Sequence, residues 1–135
     1  MKTHNKIFPT VLVLISMLFL SFADPNTQDN PEIINAIKLG NARELSKHFN
    51  SSIDLILPGN EGTYSKTQAE LMVGNFFRSN PPKSFVVRQE GTSSDSSKYT
   101  IGQYSSTNNK SFRTYFLTKR IGSSQLIQLL QFEEN

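Results

Sequence analysis

The 135-residue chain contains no cysteine and no tryptophan. Without cysteine there can be no disulfide, zinc–thiolate centre, thiol nucleophile or lipid anchor through an N-terminal cysteine. Histidine is nearly absent as well, with His4 and His48 as the only two. The chain also lacks a long uninterrupted apolar run. The longest, Ile7 to Phe22, is broken by Pro9, Thr10, Ser16 and Ser21 and falls short of the about 20 apolar residues that a spanning helix requires. A cluster of positive charge is missing too. Lys119-Arg120 is the one adjacent basic pair and no aromatic residues interleave with it, which argues against nucleic acid and anionic membrane as partners.

What the first residues do contain is the grammar of an export signal. Lys2 and Lys6 form a basic start, Val11 to Leu20 an apolar stretch, and Ser21-Phe22-Ala23 a small-x-small site. Residues 1–23 are therefore expected to be a signal peptide cleaved after Ala23, delivering the chain to the periplasm or extracellular space. No stable membrane anchor is expected to remain. Residues 24–30 are polar and read as a flexible tether. Without Lys2 and Lys6, twelve basic residues face eleven acidic ones, so the working protein is close to neutral. Residues 31–135 are the length of one domain, large enough to hold together by its apolar core alone.

The core of that domain is organised around Ile53 to Phe77. Ile53-Asp54-Leu55-Ile56-Leu57 reads as a short strand, with Ile53, Leu55 and Leu57 on one face. Pro58 to Tyr64 follows as a Pro/Gly turn, type II in its simplest form. Ser65 and Gln68 make a capping box, each side chain able to satisfy the other's free amide. Ala69, Met72, Val73, Phe76 and Phe77 then fall on one helical face. Asn80-Pro81-Pro82 stops the helix, since proline has no amide proton and disfavours helical geometry in the residue before it.

Upstream, Asn30-Pro31 reads as a capped helix start, with Ile33, Ile34 and Ile37 as its stripe and Gly40 as its end. Asn41 to Glu44 opens a second short helix, with Leu45 and Phe49 one turn apart on its buried side. Downstream the period changes to two. Ser84–Glu90, Lys98–Tyr104, Ser111–Arg120 and Gln125–Glu133 read as four antiparallel strands joined by short Gly/Asn/Ser turns. The order is α-α-β-α-β-β-β-β, an α+β domain with helices gathered on one side of the sheet. The last two strands carry apolar residues of both parities: Phe112 and Phe116 against Tyr115 and Leu117, and Leu126, Leu130 and Phe132 against Ile127 and Leu129. The second set requires its own cover, from the N-terminal helices or from a second copy in a homodimer, unless a bulge switches the parity midway.

The succession of elements resembles the nuclear-transport-factor-2-like fold, a cone formed by a curved antiparallel sheet around a long helix. More narrowly, Ala36 to Ala42, Leu57 to Lys66, Asn80 to Phe85, Tyr115 to Leu117 and Leu126 to Gln128 resemble a bacterial family of small secreted proteins of unknown function. The Pro58-Gly59-Asn60-Glu61-Gly62 segment followed by Tyr64-Ser65-Lys66 is the most distinctive part. The resemblance implies the fold and export, and supplies no catalytic residues.

For function, three classes remain open. In the first, the domain is non-catalytic and binds a small apolar ligand or a protein segment in its cone. Tyr64, Tyr99, Tyr115 and Arg113 would be its polar contributors, Arg113 and Tyr115 sharing a strand face. In the second, it is an enzyme of the isomerase, dehydratase or hydrolase kind, which would need His48 and Asp54 to meet inside the cone. In the third, it is a dimerisation or interaction module without a ligand. Glu61 sits in the turn, where solvent exposure is the default. Pro58 to Gly62 lacks the Gly-Lys-Ser/Thr ending that grips phosphate. No catalytic residue, metal ligand or cofactor is nominated.

Overall fold

The computed structural model of the protein describes residues 30–135, so the expected signal peptide and nearly all of the expected tether lie outside the described residues. Two helices lead in, α1 (Pro31–Leu39) and α2 (Ala42–Ser46). A hairpin of β1 (Phe49–Leu57) and β2 (Asn60–Ser65) follows, then the long helix α3 (Lys66–Ser79). The chain finishes in a meander of β3 (Pro82–Thr92), β4 (Lys98–Ser106), β5 (Ser111–Ile121) and β6 (Ser124–Glu134). All six strands form one sheet in the order β2-β1-β6-β5-β4-β3. The pairings are antiparallel except for β1 with β6, which run parallel.

The helix signals act as their chemistry requires. Ser65 Oγ accepts from the Gln68 amide at 3.2 Å and Gln68 Oε1 accepts from the Ser65 amide at 3.3 Å, a complete capping box. Asn41 Oδ1 accepts from the Glu44 amide at 3.1 Å. Asn30 departs from expectation. It stands before α1 in a left-handed conformation (φ 52°, ψ 55°), and its side chain makes no capping bond.

Two boundaries also differ. Pro58-Gly59 is a complete two-residue turn, with Leu57 paired to Asn60 and Gly59 at φ 82°, the value a type II turn demands of its third residue. Because the chain reverses that quickly, Asn60 to Ser65 comes to lie along β1 and pairs with it through Ser52. The hydrogen bonds available there outweigh the weak strand propensity of Asn, Glu and Gly, and a turn expected to reach Tyr64 becomes a sixth strand. Phe49 begins β1 instead of ending the second helix, and is still buried.

The core fills the concave side of the sheet. Ala69, Val73, Phe76 and Phe77 of α3 meet Phe85, Tyr104, Phe112, Phe116, Leu130 and Phe132, with Ile33, Ile34 and Ile37 of α1 closing over them. The two parities of the last strand are reconciled by a bulge. Leu117 pairs with Leu129 but Thr118 with Ile127, so Gln128 is an extra residue. Ile127 and Leu130 are thereby both turned into the core, while Leu126 and Leu129 stay half-buried on the other face. The bulge reduces the apolar excess outside without removing it.

Candidate functional site

The interior of the cone is occupied by its own side chains. The Phe76 ring lies 4.5 Å from Phe132, 5.0 Å from Phe112 and 5.6 Å from Tyr104, centroid to centroid. Tyr104 has no solvent exposure, and its hydroxyl donates to the Asn80 carbonyl at 2.5 Å. Burial pushes its phenol well above the ordinary value of 10, because desolvation disfavours the phenolate. At the mouth, between the β1–β2 turn and the end of α3, a recess of about 180 Å³ is bounded by Pro58, Met72 and Phe76. That is below the range of about 300–1,000 Å³ typical of small-molecule sites.

The four residues expected to line the cone do not come together there. Tyr64, on β2, pairs with Ile53 of β1 and packs against the core. Tyr99, Arg113 and Tyr115 lie on the opposite, outer face. Their strands bury the alternate residues instead: Thr100 and Tyr104 on β4, Phe112, Thr114 and Phe116 on β5. The correction follows from the two-residue strand period. Once Phe112 and Phe116 face the helix, Arg113 and Tyr115 must face away.

On that outer face they form a coherent surface. The Tyr99 ring lies across its cross-strand partner Gly91, where an added Cβ would meet ring carbons at 2.5 Å. Only glycine leaves room for a ring laid down in this way. Gln89 Nε2 donates to the Tyr99 hydroxyl at 3.1 Å. Tyr115 runs nearly parallel to Tyr99, at 6.4 Å and 15°. Register places Ile101 beside Tyr115, Leu117 beside Leu129, and Gln131 beside Tyr115 on the other side. Ile101, Tyr115, Leu117 and Leu129 are all half-buried. Charge is balanced around them: Arg113 is paired in register with Glu133, and Lys119 Nζ lies 3.5 Å from Asp95 Oδ2. Ile101 and Gln89 went unnoticed in the sequence, although the odd-numbered parity of 99, 101, 113, 115 and 117 was the available signal.

The candidate acid–base pair does not assemble. Asp54 Oδ1 accepts from Thr63 Oγ1 at 2.6 Å across the β1–β2 hairpin, on the exposed face. His48 Nε2 stands 3.8 Å from Glu32 Oε2 at the foot of α1. Glu61 is exposed on β2. Among the described residues no three His, Asp or Glu side chains gather as a metal site would need. No helix among them is long and apolar enough to cross a membrane.

A family model described as a domain of unknown function, DUF4783, matches residues 30–133. The chain belongs to the DUF4783 family. Solved DUF4783 structures resemble it along almost their whole length. The protein from Bacteroides uniformis is 26% identical with a TM-score of 0.74, covering 80% of this chain and 98% of that one. The protein from Bacteroides ovatus is 27% identical with a TM-score of 0.72, covering 78% and 94%. An NTF2-like protein of unknown function from Cytophaga hutchinsonii, 15% identical, aligns with a TM-score of 0.54 over 100% of this chain and 95% of that one. That likeness shows the fold: this DUF4783 domain is an NTF2-like α+β cone. No curated protein matches the chain.

Proposed function

We propose that this DUF4783 domain is an exported, non-catalytic interaction module that pairs with a second copy of itself through the outer face of the sheet. One observation carries the reading. Tyr99, Ile101, Tyr115, Leu117 and Leu129 sit side by side on the face that no helix among the described residues covers, while the concave face is filled by Phe76, Tyr104, Phe112 and Phe132. Interfaces favour such an arrangement, with large apolar and tyrosine side chains at the centre and a polar rim. The rim here is built of Gln89, Gln131, Arg113 and Glu133. Because cation and anion alternate on it, two like faces meet without net repulsion, and a two-fold pairing requires only one self-complementary patch. The alternative of a small apolar ligand in the cone is less well supported, since Phe76, Tyr104, Phe112 and Phe132 pack together in its interior.

The outer-face reading is tested by light scattering over a dilution series of the domain from residue 24. A dimer mass at high micromolar concentration, shifted towards monomer by Leu129→Glu, is expected. A monomer mass throughout, unaffected by that charge, would eliminate the pairing. Export rests on the basic, apolar and small-x-small pattern of residues 2–23, the pattern of a secretory signal.

A further inference from the structure

Beyond its apolar centre, the outer face has two margins, and they differ in charge. Register lines up one row across the whole sheet, from β2 to β3: Glu61, Ile56, Gln131, Tyr115, Ile101 and Gln89. In the row beside it, Asp54 of β1, Leu129, Leu117 and Tyr99 are successive neighbours. Strands β1 and β2 carry Asp54 and Glu61 and no basic residue. Strand β3 carries Lys83 and Arg88. Its one carboxylate, Glu90, is paired with the buried Thr100 and so belongs to the inner face. Arg88 is the extra residue of a bulge between Val87 and Gln89, so it shares with Gln89 the place opposite Ile101. Asp54, Glu61 and Arg88 are exposed, and none has an ion-pair partner among the described residues.

Two aligned sheets stacked face to face can be related by a two-fold axis in two ways. With the axis across the strands, each strand lies over its own copy. Acid then meets acid at β1–β2, and base meets base at β3. With the axis along the strands, midway between β6 and β5, the order reverses. Strand β2 comes over the partner's β3, β1 over its β4 and β6 over its β5. Glu61 then faces the partner's Arg88, Ile56 the partner's Ile101, and Leu129 the partner's Leu117. Unlike charges meet at both margins, with apolar residues between them. Complementary charge fixes register and disfavours the arrangement that juxtaposes like charges. We infer that the two copies pair with the axis along the strands, so that the acidic margin of each, Asp54 and Glu61, lies over the basic margin, Lys83 and Arg88, of the other. This orientation rests on the outer-face pairing proposed above.

The test measures the dimer Kd by sedimentation equilibrium at low ionic strength for the wild-type domain, Glu61→Arg, Arg88→Glu and the double variant that carries both. Each single reversal sets like charges against each other twice in the pair. It should weaken the dimer about three- to tenfold, as expected of exposed charge pairs. The double variant restores unlike charges across the axis along the strands, and its Kd should return to within about twofold of wild type. These differences should shrink in 1 M salt, where the screening length is about 3 Å. Single variants that pair as tightly as wild type, or a double variant no tighter than the singles, would overturn the orientation while leaving a wild-type dimer in place. A wild-type domain that stays monomeric throughout would instead remove the pairing itself. All these positions are exposed, and unchanged melting temperatures should confirm folding. Should Arg88→Glu not fold, Lys83→Glu takes its place beside Glu61→Arg.

Discussion

The rings of Phe76 on α3 and Phe132 on β6 lie 4.5 Å apart, inclined at 31°. Through this contact the long helix is fastened to the last strand, and the space a ligand would have entered is closed. Phe76→Ala should destabilise the domain by about 3–5 kcal/mol, the range for deleting a buried aromatic side chain. Leu71, on the same helix but 64% exposed, should tolerate Leu71→Ala within about 0.5 kcal/mol. Urea titrations of the two variants make the comparison. Equal, small losses would mean that Phe76 does not hold the helix to the sheet.

Tyr104 should behave unlike the other tyrosines in an alkaline titration. Burial raises its pKa above 10, so in the folded chain it keeps its proton where an exposed phenol releases one. Its contribution to stability is full below the unfolded value of about 10 and is lost as the pH rises through the raised folded value. Absorbance at alkaline pH should therefore show Tyr104 ionising last, together with unfolding. A tyrosine signal set that titrates completely near pH 10 in folded protein would contradict its burial.

The packed half of the molecule was legible in the sequence because it rests on periodicity. Ala69, Val73, Phe76 and Phe77 formed one helical face, and Ser65 with Gln68 announced where it began. Strand β2 was not legible. Asn60-Glu61-Gly62 has little strand propensity, and only the tightness of the Pro58-Gly59 turn brings it against β1. The site residues divided along similar lines. Tyr99, Arg113 and Tyr115 were readable as a set, but their face depended on which parity of β5 met α3, a tertiary fact. Asn30 reads as an ordinary cap, because a capping asparagine and a left-handed one that makes no capping bond look the same in sequence. The role of Gly91 was invisible for a comparable reason: the ring that needs its missing Cβ comes from a neighbouring strand.

That ring gives a prediction of its own. Gly91→Ala should lift Tyr99 off β3, because a Cβ cannot share the 2.5 Å space beneath it. The expected outcome is a changed Tyr99 ring signal in NMR spectra, with weaker self-association by at least a few fold and the core signals of Phe112 and Phe132 unaltered. Unchanged association despite a displaced Tyr99 would remove this ring from the proposed interface.

Asp95 fastens the β3–β4 turn. Its carboxylate accepts from the Ser97 hydroxyl at 2.5 Å and the Ser97 amide at 3.1 Å. The Ser97 hydroxyl is the leading cause of its lowered pKa, with the Ser97 amide next and Lys119 behind them. The turn should therefore be ordered above the ordinary carboxylate value of 3.8 and loosen as the pH falls through the lower folded value. Chemical shifts of the Ser97 amide against pH check this. A midpoint at or above 3.8 would show that the bonds do not form in solution.

The pairing of two outer faces is most directly tested by isotope-filtered NOE spectroscopy on an equal mixture of labelled and unlabelled chains. The account predicts intermolecular cross-peaks from the labelled methyls of Leu117 and Leu129 to the unlabelled ring protons of Tyr99 and Tyr115. Absence of such cross-peaks at millimolar concentration, with the tumbling time of a single domain, would contradict it.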